Sequence, residues 1–251
     1  MRIRSAAACC GLLVLAGCGG SSTEPPPLPA DAIPAGTAVG TAVIEGRVAF
    51  SGAVRPPRPI DTRSDASCRH KQESPPVLED LVVGEGGALA NAFVSVTGRV
   101  GDKPFAPPAA PVTLDQRGCT YRPHVVGVQV GQALRLLNSD PTLHNVHTLS
   151  KLNPSFNFGM PIEGQETIRR FVKPEIMVKA KCDVHPWMGA WIGVVPHPFF
   201  QVTGPDGAFS LRGLPAGTWQ VEVWHESLGT QSLSVTVSDG GRQTADFSFP
   251  R

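Results

Sequence analysis

The sequence has few charged and few aromatic side chains. Charged residues make up 17% of the 251 positions and aromatic residues 6%, and the formal net charge is only +1. There is no long heptad pattern and no basic cluster, so coiled-coil and nucleic-acid-binding functions have no support. Beyond the N-terminus, no apolar run is long enough to cross a bilayer. The 27 glycines and 25 prolines favour strands joined by turns over helices, which predicts an all-β fold.

The N-terminus has the pattern of an export signal. Arg2 and Arg4 provide a positive start, and an apolar stretch over 6–16 follows. An ordinary secretory signal and a lipoprotein signal share these features, and both export the chain. The Ser-, Pro- and Ala-rich residues up to position 40 predict a disordered tether before the folded part.

Residues 15–18, Leu-Ala-Gly-Cys, resemble the lipobox of bacterial lipoproteins. The resemblance implies a signal peptide over 1–17 and lipidation of Cys18, which would become the first mature residue. Because Gly19 follows rather than the aspartate associated with inner-membrane retention, we expect a membrane anchor on the periplasmic face of the outer membrane.

Three cysteines remain after the signal region, namely Cys68, Cys119 and Cys182. An oxidising compartment favours disulfides, but an odd number of thiols cannot all pair within one chain. Our hypothesis is a Cys68–Cys119 disulfide with Cys182 left as a free thiolate, although spacing alone does not fix the connectivity.

The segment 182–188, Cys-Asp-Val-His-Pro-Trp-Met, places a thiol, an imidazole and a thioether in one short loop between two predicted strands. Sulfur ligands combined with imidazole favour copper or zinc over harder ions. The alternative is a buried Cys and Met packed in a β core. The segment alone leaves the two interpretations equally open.

A second candidate ligand follows the turn at 138–141. His144 and His147 fall on opposite sides of an extended chain, because side chains alternate along a strand. We therefore expect only one of the two to face the loop that carries Cys182.

Residues 112–195 resemble the cupredoxin family, of which plastocyanin is a member. The similarity is carried, in order, by the x-P-x-x-V-x-V-x-x-G pattern within 121–132, the Asn-Ser-Asp turn followed by His144, the strand before Cys182, and the spacing Cys182-x-x-His185 followed by Met188. It implies a Greek-key β-sandwich holding one mononuclear copper ion. The implied ligands are His144, Cys182 and His185, with Met188 as a weak axial ligand.

The axial residue departs from the plastocyanin pattern, because Met188 follows His185 by three positions rather than five. A His-x-x-Met loop also occurs in the dinuclear copper domain of cytochrome oxidase, but that site needs a second cysteine where this chain has Val178. We therefore expect a mononuclear centre. Asn145 is expected to connect the His144 segment to the loop by hydrogen bonds. Trp187 is expected to shield the sulfur or simply to pack in the core.

The C-terminal residues 198–251 resemble the carboxypeptidase regulatory-like, transthyretin-like β-sandwich module, but they are short for it. Residues 43–50 and 89–96 look like its missing opening strands, and residues 78–83 also have a strand pattern. We predict that the copper domain is inserted into a discontinuous sandwich.

His225 and its neighbours form either a packing cluster at a strand end or a ligand set, and the packing cluster is favoured. The predicted parts are the signal (1–17), tether (18–40), N-terminal β segment (41–111), cupredoxin-like domain (112–197) and regulatory-like segment (198–251).

The sequence supports three functions in descending order. The first is a lipid-anchored electron carrier with one copper ion, whose redox partner protein the sequence does not identify. The second is a non-redox metal-binding or scaffold protein. The third is a multicopper oxidase, which needs a histidine directly beside the cysteine ligand, where this chain has Lys181 and Asp183.

Overall fold

A computed structural model describes residues 25–69 and 76–250, with only the backbone of Arg69. The expected signal peptide and the expected lipidation site Cys18 lie outside the described residues. So does His70, two residues after Cys68, which the sequence favours as an exposed loop histidine over half of a metal-binding pair. The predicted all-β class is confirmed, because the described chain forms many strands and only two short helical turns. No helix among the described residues has the length and apolar character needed to span a membrane.

The regular elements are short and follow one another closely. The helical turns are α1 (Ala66–Arg69) and a 3-10 turn at Glu85–Gly87. In chain order the strands are β1 (Ala42–Phe50), β2 (Phe93–Val96), β3 (Val112–Gln116), β4 (Tyr121–Arg122), β5 (Val125–Gln129), β6 (Leu134–Asn138), β7 (His144–Leu149), β8 (Asn157–Met160), β9 (Glu166–Arg169), β10 (Glu175–Lys181), β11 (Gly189–Val195), β12 (Phe200–Val202), β13 (Ala208–Leu214), β14 (Gly217–His225), β15 (Gly229–Val237), β16 (Arg242–Thr244) and β17 (Phe247–Phe249).

The two ends of the chain form one β-sandwich, which we call the terminal sandwich. Strand β1 pairs antiparallel with β13 and parallel with β16 and β17, and the facing sheet has the order β12-β2-β14-β15. The predicted pairing of the early segments with the C-terminal segment is therefore confirmed. Both sheets contribute to one apolar core, which includes Ile44, Leu89, Val94, Phe209, Val221 and Phe249.

The middle of the chain forms a second β-sandwich, which we call the inserted sandwich. One sheet has the order β5-β11-β10-β7-β8 and the other β4-β3-β6-β9. The parallel pairs β5–β11 and β3–β6 join strands that are distant in sequence. Their inward side chains form a separate core that includes Leu114, Val128, Leu136, Val146, Phe171, Cys182, Met188 and Ile192.

Aromatic side chains join the two sandwiches. Phe93 of β2 and Phe200 of β12 stack with ring centroids 5.7 Å apart and lie against strands β5 and β11. A Cβ atom at Gly127 would lie 2.2 Å from the Phe200 ring, and one at Gly193 would lie 2.5 Å from the Phe93 ring. These positions therefore have no room for a side chain, since the aromatic rings occupy that space.

Two segments differ from their expected conformation. Residues 25–40, the described part of the predicted tether, form no strand, but Ile33 bridges to Phe105 and packs with Val39 against the terminal core. The burial of these two apolar side chains accounts for the docking of this part. Residues 78–83 contain no strand, and only isolated bridges form around them.

Candidate metal centre

The loop 182–188 is a tight connection between β10 and β11. These strands pair antiparallel up to Lys181 and Gly189, and the backbone then closes through Cys182 N–H donating to Met188 O (3.1 Å) and Met188 N–H donating to His185 O (2.9 Å). Cys182, His185 and Met188 are at most 2% exposed. The strand register thus brings the thiol, imidazole and thioether of one loop into the interior.

Strand β7 supplies the second imidazole, because it pairs with β10 on the side away from β11. His144 Nδ1 lies 3.0 Å from His185 Nδ1, and Cys182 Sγ lies 3.7 Å from His185 Nδ1. The ligand atoms of these three residues all lie within 4.8 Å of one another. Ligand atoms bound about 2.0–2.3 Å from one ion are separated by such distances, so the donor set fits a copper or zinc ion.

Carboxylates hold the outer nitrogen of each imidazole. His144 Nε2 lies 3.0 Å from Asp140 Oδ2, and His185 Nε2 lies 2.9 Å from Asp65 Oδ2. A carboxylate accepts a hydrogen bond from Nε2–H, which favours the tautomer with a free lone pair on Nδ1 that can bind a metal. Both rings are therefore oriented with the ligating nitrogen toward Cys182.

The Cys182 thiol is activated by its surroundings. Burial raises its pKa, but hydrogen bonds from the His144 and His185 imidazoles and from the backbone N–H groups of Asn145 and His185 outweigh this and lower the pKa to about 6. The sulfur is therefore mainly thiolate at neutral pH, which is the form that binds metals.

The same contacts govern the two imidazoles. Burial lowers the pKa of His144, but hydrogen bonds to Asp140 and Cys182 raise it above its usual value. Burial likewise lowers the pKa of His185, and hydrogen bonds to Cys182 and Asp65 reverse the shift. A proton and a metal ion therefore compete for this anion-rich site.

Asn145 connects the two ligand-bearing segments, as expected. Its Oδ1 accepts the backbone N–H of Asp183 (2.5 Å), its Nδ2 donates to Asn157 (2.7 Å), and its backbone carbonyl accepts the Tyr121 hydroxyl (2.6 Å). The hydrogen bonds restrain strand β7 against the loop, and so limit the relative movement of His144 and Cys182.

Trp187 packs against the centre and also bonds to the disulfide region. Its ring centroid lies 5.2 Å from that of His185, and its Nε1–H donates to Cys119 O at 2.9 Å. Cys68 and Cys119 are joined by a disulfide, and Cys182 is the free cysteine among the described residues. Cys68 Sγ lies 3.6 Å from His185 Nε2, so the disulfide forms part of the wall of the site.

His147 does not behave as the alternation argument predicts. It points away from the buried donors, but its Nδ1 lies 2.9 Å from Asp183 Oδ2 on the outer side of the same loop. Both histidines of β7 therefore contact the loop, because Asp183 turns outward while Cys182 and His185 turn inward. His147 is partly exposed and helps to hold the loop from outside.

His124 and His225 lie at the junction of the sandwiches. His124 Nε2 pairs closely with Glu226, which also accepts the Trp191 indole N–H (2.8 Å). The Trp191 and Trp224 rings pack 5.0 Å apart beside them. Among the described residues, every group of three potential ligands contains His144 or His185, so the His225 region is a packing cluster.

Sequence reasoning missed the two carboxylates. Asp140 stands four residues before His144, within the turn already identified, so its place before a ligand histidine was an available signal. Asp65 lies 120 positions from His185, and no local pattern connects them. Its proximity to Cys68 becomes informative only once the disulfide is known.

No family model matches the chain, and no curated protein matches it. Among solved structures, a Cu-containing nitrite reductase from Thermus scotoductus SA-01 is 26% identical over 39% of this chain and 24% of that one, with a TM-score of 0.30. A Cu(I) structure of an amicyanin mutant is 18% identical over 40% of this chain and 97% of its own, with a TM-score of 0.30. A purple cupredoxin from Nitrosopumilus maritimus is 20% identical over 34% and 98%, with a TM-score of 0.29.

This chain therefore matches about a quarter of the nitrite reductase and nearly all of the two small copper proteins. All three overlaps cover at most two fifths of this chain. The argument for a metal centre rests on its own donor atoms.

Proposed function

We propose that the protein binds one copper ion through His144, Cys182 and His185 and carries electrons. The observation that carries the proposal is the convergence of two Nδ1 atoms and one low-pKa thiol in the interior of the inserted sandwich. Two imidazoles and a thiolate with a nearby thioether form the ligand set of a blue-copper electron-transfer site. Met188 is the proposed weak axial ligand, because it is buried in the same core as Cys182.

The construction of the site suits electron transfer better than an enzymatic reaction. Each imidazole is oriented by a carboxylate, and backbone hydrogen bonds close the loop around Cys182. Ligands fixed on paired strands move little when copper changes its oxidation state. The reorganisation energy of electron transfer is therefore small. Lys181 and Asp183 flank Cys182, so neither neighbour can bridge to a further copper cluster as a histidine could.

The proposed location is the periplasmic face of the outer membrane, with a lipid anchor on Cys18. The Cys68–Cys119 disulfide supports an oxidising compartment. Labelling cells with a radioactive fatty acid tests the anchor, because the label should appear in the parent protein and disappear in Cys18→Ser. A labelled Cys18→Ser protein would contradict this attachment point.

The second candidate is metal binding without redox turnover, and one observation favours it. All three donors are nearly inaccessible to solvent, and both outer imidazole nitrogens are bonded to carboxylates. An ion enclosed in this way would be released slowly, as expected for a protein that retains a metal without redox turnover.

Copper loading tests the proposal. Purified protein mixed with Cu(II) should bind one ion per chain and show an intense thiolate-to-copper absorption band, which is lost in Cys182→Ser. His144→Ala should weaken or remove the band, whereas His147→Ala, on the same strand but outside the donor set, should retain it.

Voltammetry of the copper-loaded protein then separates the two candidates. Reversible reduction supports the electron carrier, and a bound but redox-inactive ion supports the second candidate. Failure to bind stoichiometric copper would overturn the first candidate, and failure to bind zinc as well would overturn the second.

A further inference from the structure

The outer edge of His185 is covered by residues 61–69, which we call the cap segment. This segment belongs to neither sheet of the inserted sandwich. Its Asp65 Oδ2 lies 2.9 Å from His185 Nε2, and its Cys68 Sγ lies 3.6 Å from the same nitrogen. With these contacts His185 is only 1% exposed, so the ring has no free edge toward solvent.

The Asp65 carboxylate is oriented by its own turn. Asp65 N–H donates to Thr62 O (3.1 Å), and Ser67 N–H donates to Asp65 Oδ1 (2.7 Å). One oxygen is therefore committed to the turn, and the other is directed at His185.

The disulfide fixes the cap segment to the part of the molecule that also holds the other ligands. Cys68 is bonded to Cys119, whose backbone N–H donates to Asp140 Oδ2 (2.8 Å), and Asp140 in turn holds His144. The carbonyl of Cys119 accepts the indole N–H of Trp187 from the ligand loop. One covalent bond thus connects the cap to the supports of both imidazoles.

We propose that Asp65 is a positioning residue for the metal centre. It accepts a hydrogen bond from His185 Nε2–H, which keeps the proton on Nε2 and leaves Nδ1 as the ligating atom, and the cap segment excludes water from that edge of the ring. This inference rests on the proposed copper site. It differs from the role of Asp140, which is supplied from within the inserted sandwich, because Asp65 comes from the N-terminal segment and depends on the disulfide for its place.

The first measurement needs no metal. Long-range nitrogen–proton NMR of the metal-free protein should show His185 protonated at Nε2, with slow exchange of that proton with water. Asp65→Ala should lose the slowly exchanging Nε2–H signal. Asp65→Asn should retain it, because its amide oxygen can still accept the hydrogen bond from Nε2–H. An unchanged Nε2–H signal in Asp65→Ala would overturn the proposal, whether or not the parent protein binds copper.

The second measurement uses the copper-loaded protein. Asp65→Ala should bind Cu(II) roughly 10- to 100-fold more weakly, should release it faster to a chelator, and should show a shifted absorption band and altered copper hyperfine splitting. Asp65→Asn should recover most of the affinity and the spectrum of the parent. A purely structural role would lower the melting temperature of Asp65→Ala and leave the spectrum unchanged, which would contradict the inference.

Asp61→Asn is the matched control. It removes a carboxylate from the same segment, but Asp61 bonds to Arg63 and its side chain is exposed. Its affinity, spectrum and NMR signature should equal those of the parent. If Asp61→Asn lost as much copper affinity as Asp65→Ala, the negative charge of the cap segment, rather than the hydrogen bond to His185, would be responsible. That result would overturn the positioning role of Asp65.

Discussion

The two sandwiches bury histidines in opposite ways. In the terminal sandwich, burial lowers the pKa of His225 to about 4, and its Nε2 has no hydrogen-bond partner within the described chain. In the inserted sandwich, His144 and His185 are equally buried, but each has a carboxylate on Nε2 and the Cys182 sulfur near Nδ1, and their pKa values are raised.

The difference shows what distinguishes a packed imidazole from one prepared to bind a metal. Burial alone favours the neutral ring and serves only packing, whereas a carboxylate on Nε2 fixes the orientation of the ring and leaves Nδ1 directed at the sulfur, where a metal ion can replace the proton. Enclosing several polar groups is costly unless they satisfy one another. Around Cys182 this cost is offset because Asp140 and Asp65 accept hydrogen bonds from the two buried imidazoles, and this arrangement supports placing the candidate site there.

The largest expected effect on the free energy of unfolding comes from a substitution in the terminal core, and it tests whether the two cores are independent. Phe249 is fully buried in the terminal core, so Phe249→Ala should reduce the free energy of unfolding by about 3–5 kcal/mol, measured by denaturant titration. Under conditions where the variant remains folded, its copper absorption band should be the same as in the parent. A band changed in position or intensity would mean that the terminal core helps to shape the metal centre.

Metal binding should stabilise the inserted sandwich in particular. Cu(II) at a free concentration 100 times the dissociation constant should add about 2.7 kcal/mol to the free energy of unfolding, because only the folded chain presents the three donors together. Thermal melts with and without the ion measure this gain. Cys182→Ser should lose it and His225→Asn should keep it, and an equal gain in Cys182→Ser would place the ion elsewhere.

An effect of similar size is expected from the titration of His225. Its folded pKa is lowered by burial from 6.5 to about 4, so the unfolded chain takes up a proton first as the pH falls. The free energy of unfolding should therefore decrease between pH 6.5 and 4, by about 2–3 kcal/mol from this residue. In His225→Asn the amide oxygen can accept the Ser227 N–H that His225 Nδ1 accepts, and no proton is taken up.

Denaturant titrations at pH 7 and pH 4.5 compare the two proteins. The parent should lose more stability than His225→Asn over this interval, with the sign set by the lowered pKa. Equal losses would indicate that His225 has an ordinary pKa in the folded state and that the contrast with the inserted sandwich is weaker than the structure indicates.

Much of the candidate site could be predicted because its signals are local. The spacing of Cys182, His185 and Met188 lies within one loop, and His144 follows a recognisable turn. Alternation of apolar residues likewise predicted strands β1 and β2. The resemblance to the regulatory-like module implied that they pair with the C-terminal segment, which the structure confirms. The fold class followed from the same short-range patterns.

The remainder depends on contacts between distant positions. Residues 78–83 alternate like a strand, but they lie outside the sheets, and only isolated bridges such as Val83 with Leu89 form there. Asp65 is placed by a disulfide and a turn rather than by any periodic pattern. Such positions have no signature in a single sequence, because their partners are chosen by the assembled fold.

The pairing of β1 with β16 and β17 has a consequence for the order of folding. Val48 pairs with Phe247, so β1 cannot complete its sheet until strands β16 and β17 have been synthesised. Strands β3 to β11 find all of their sheet partners among themselves and can assemble earlier. The inserted sandwich could therefore fold before the terminal sandwich is complete. A chain that ended before β16 would keep the inserted sandwich but leave one edge of β1 exposed to other chains.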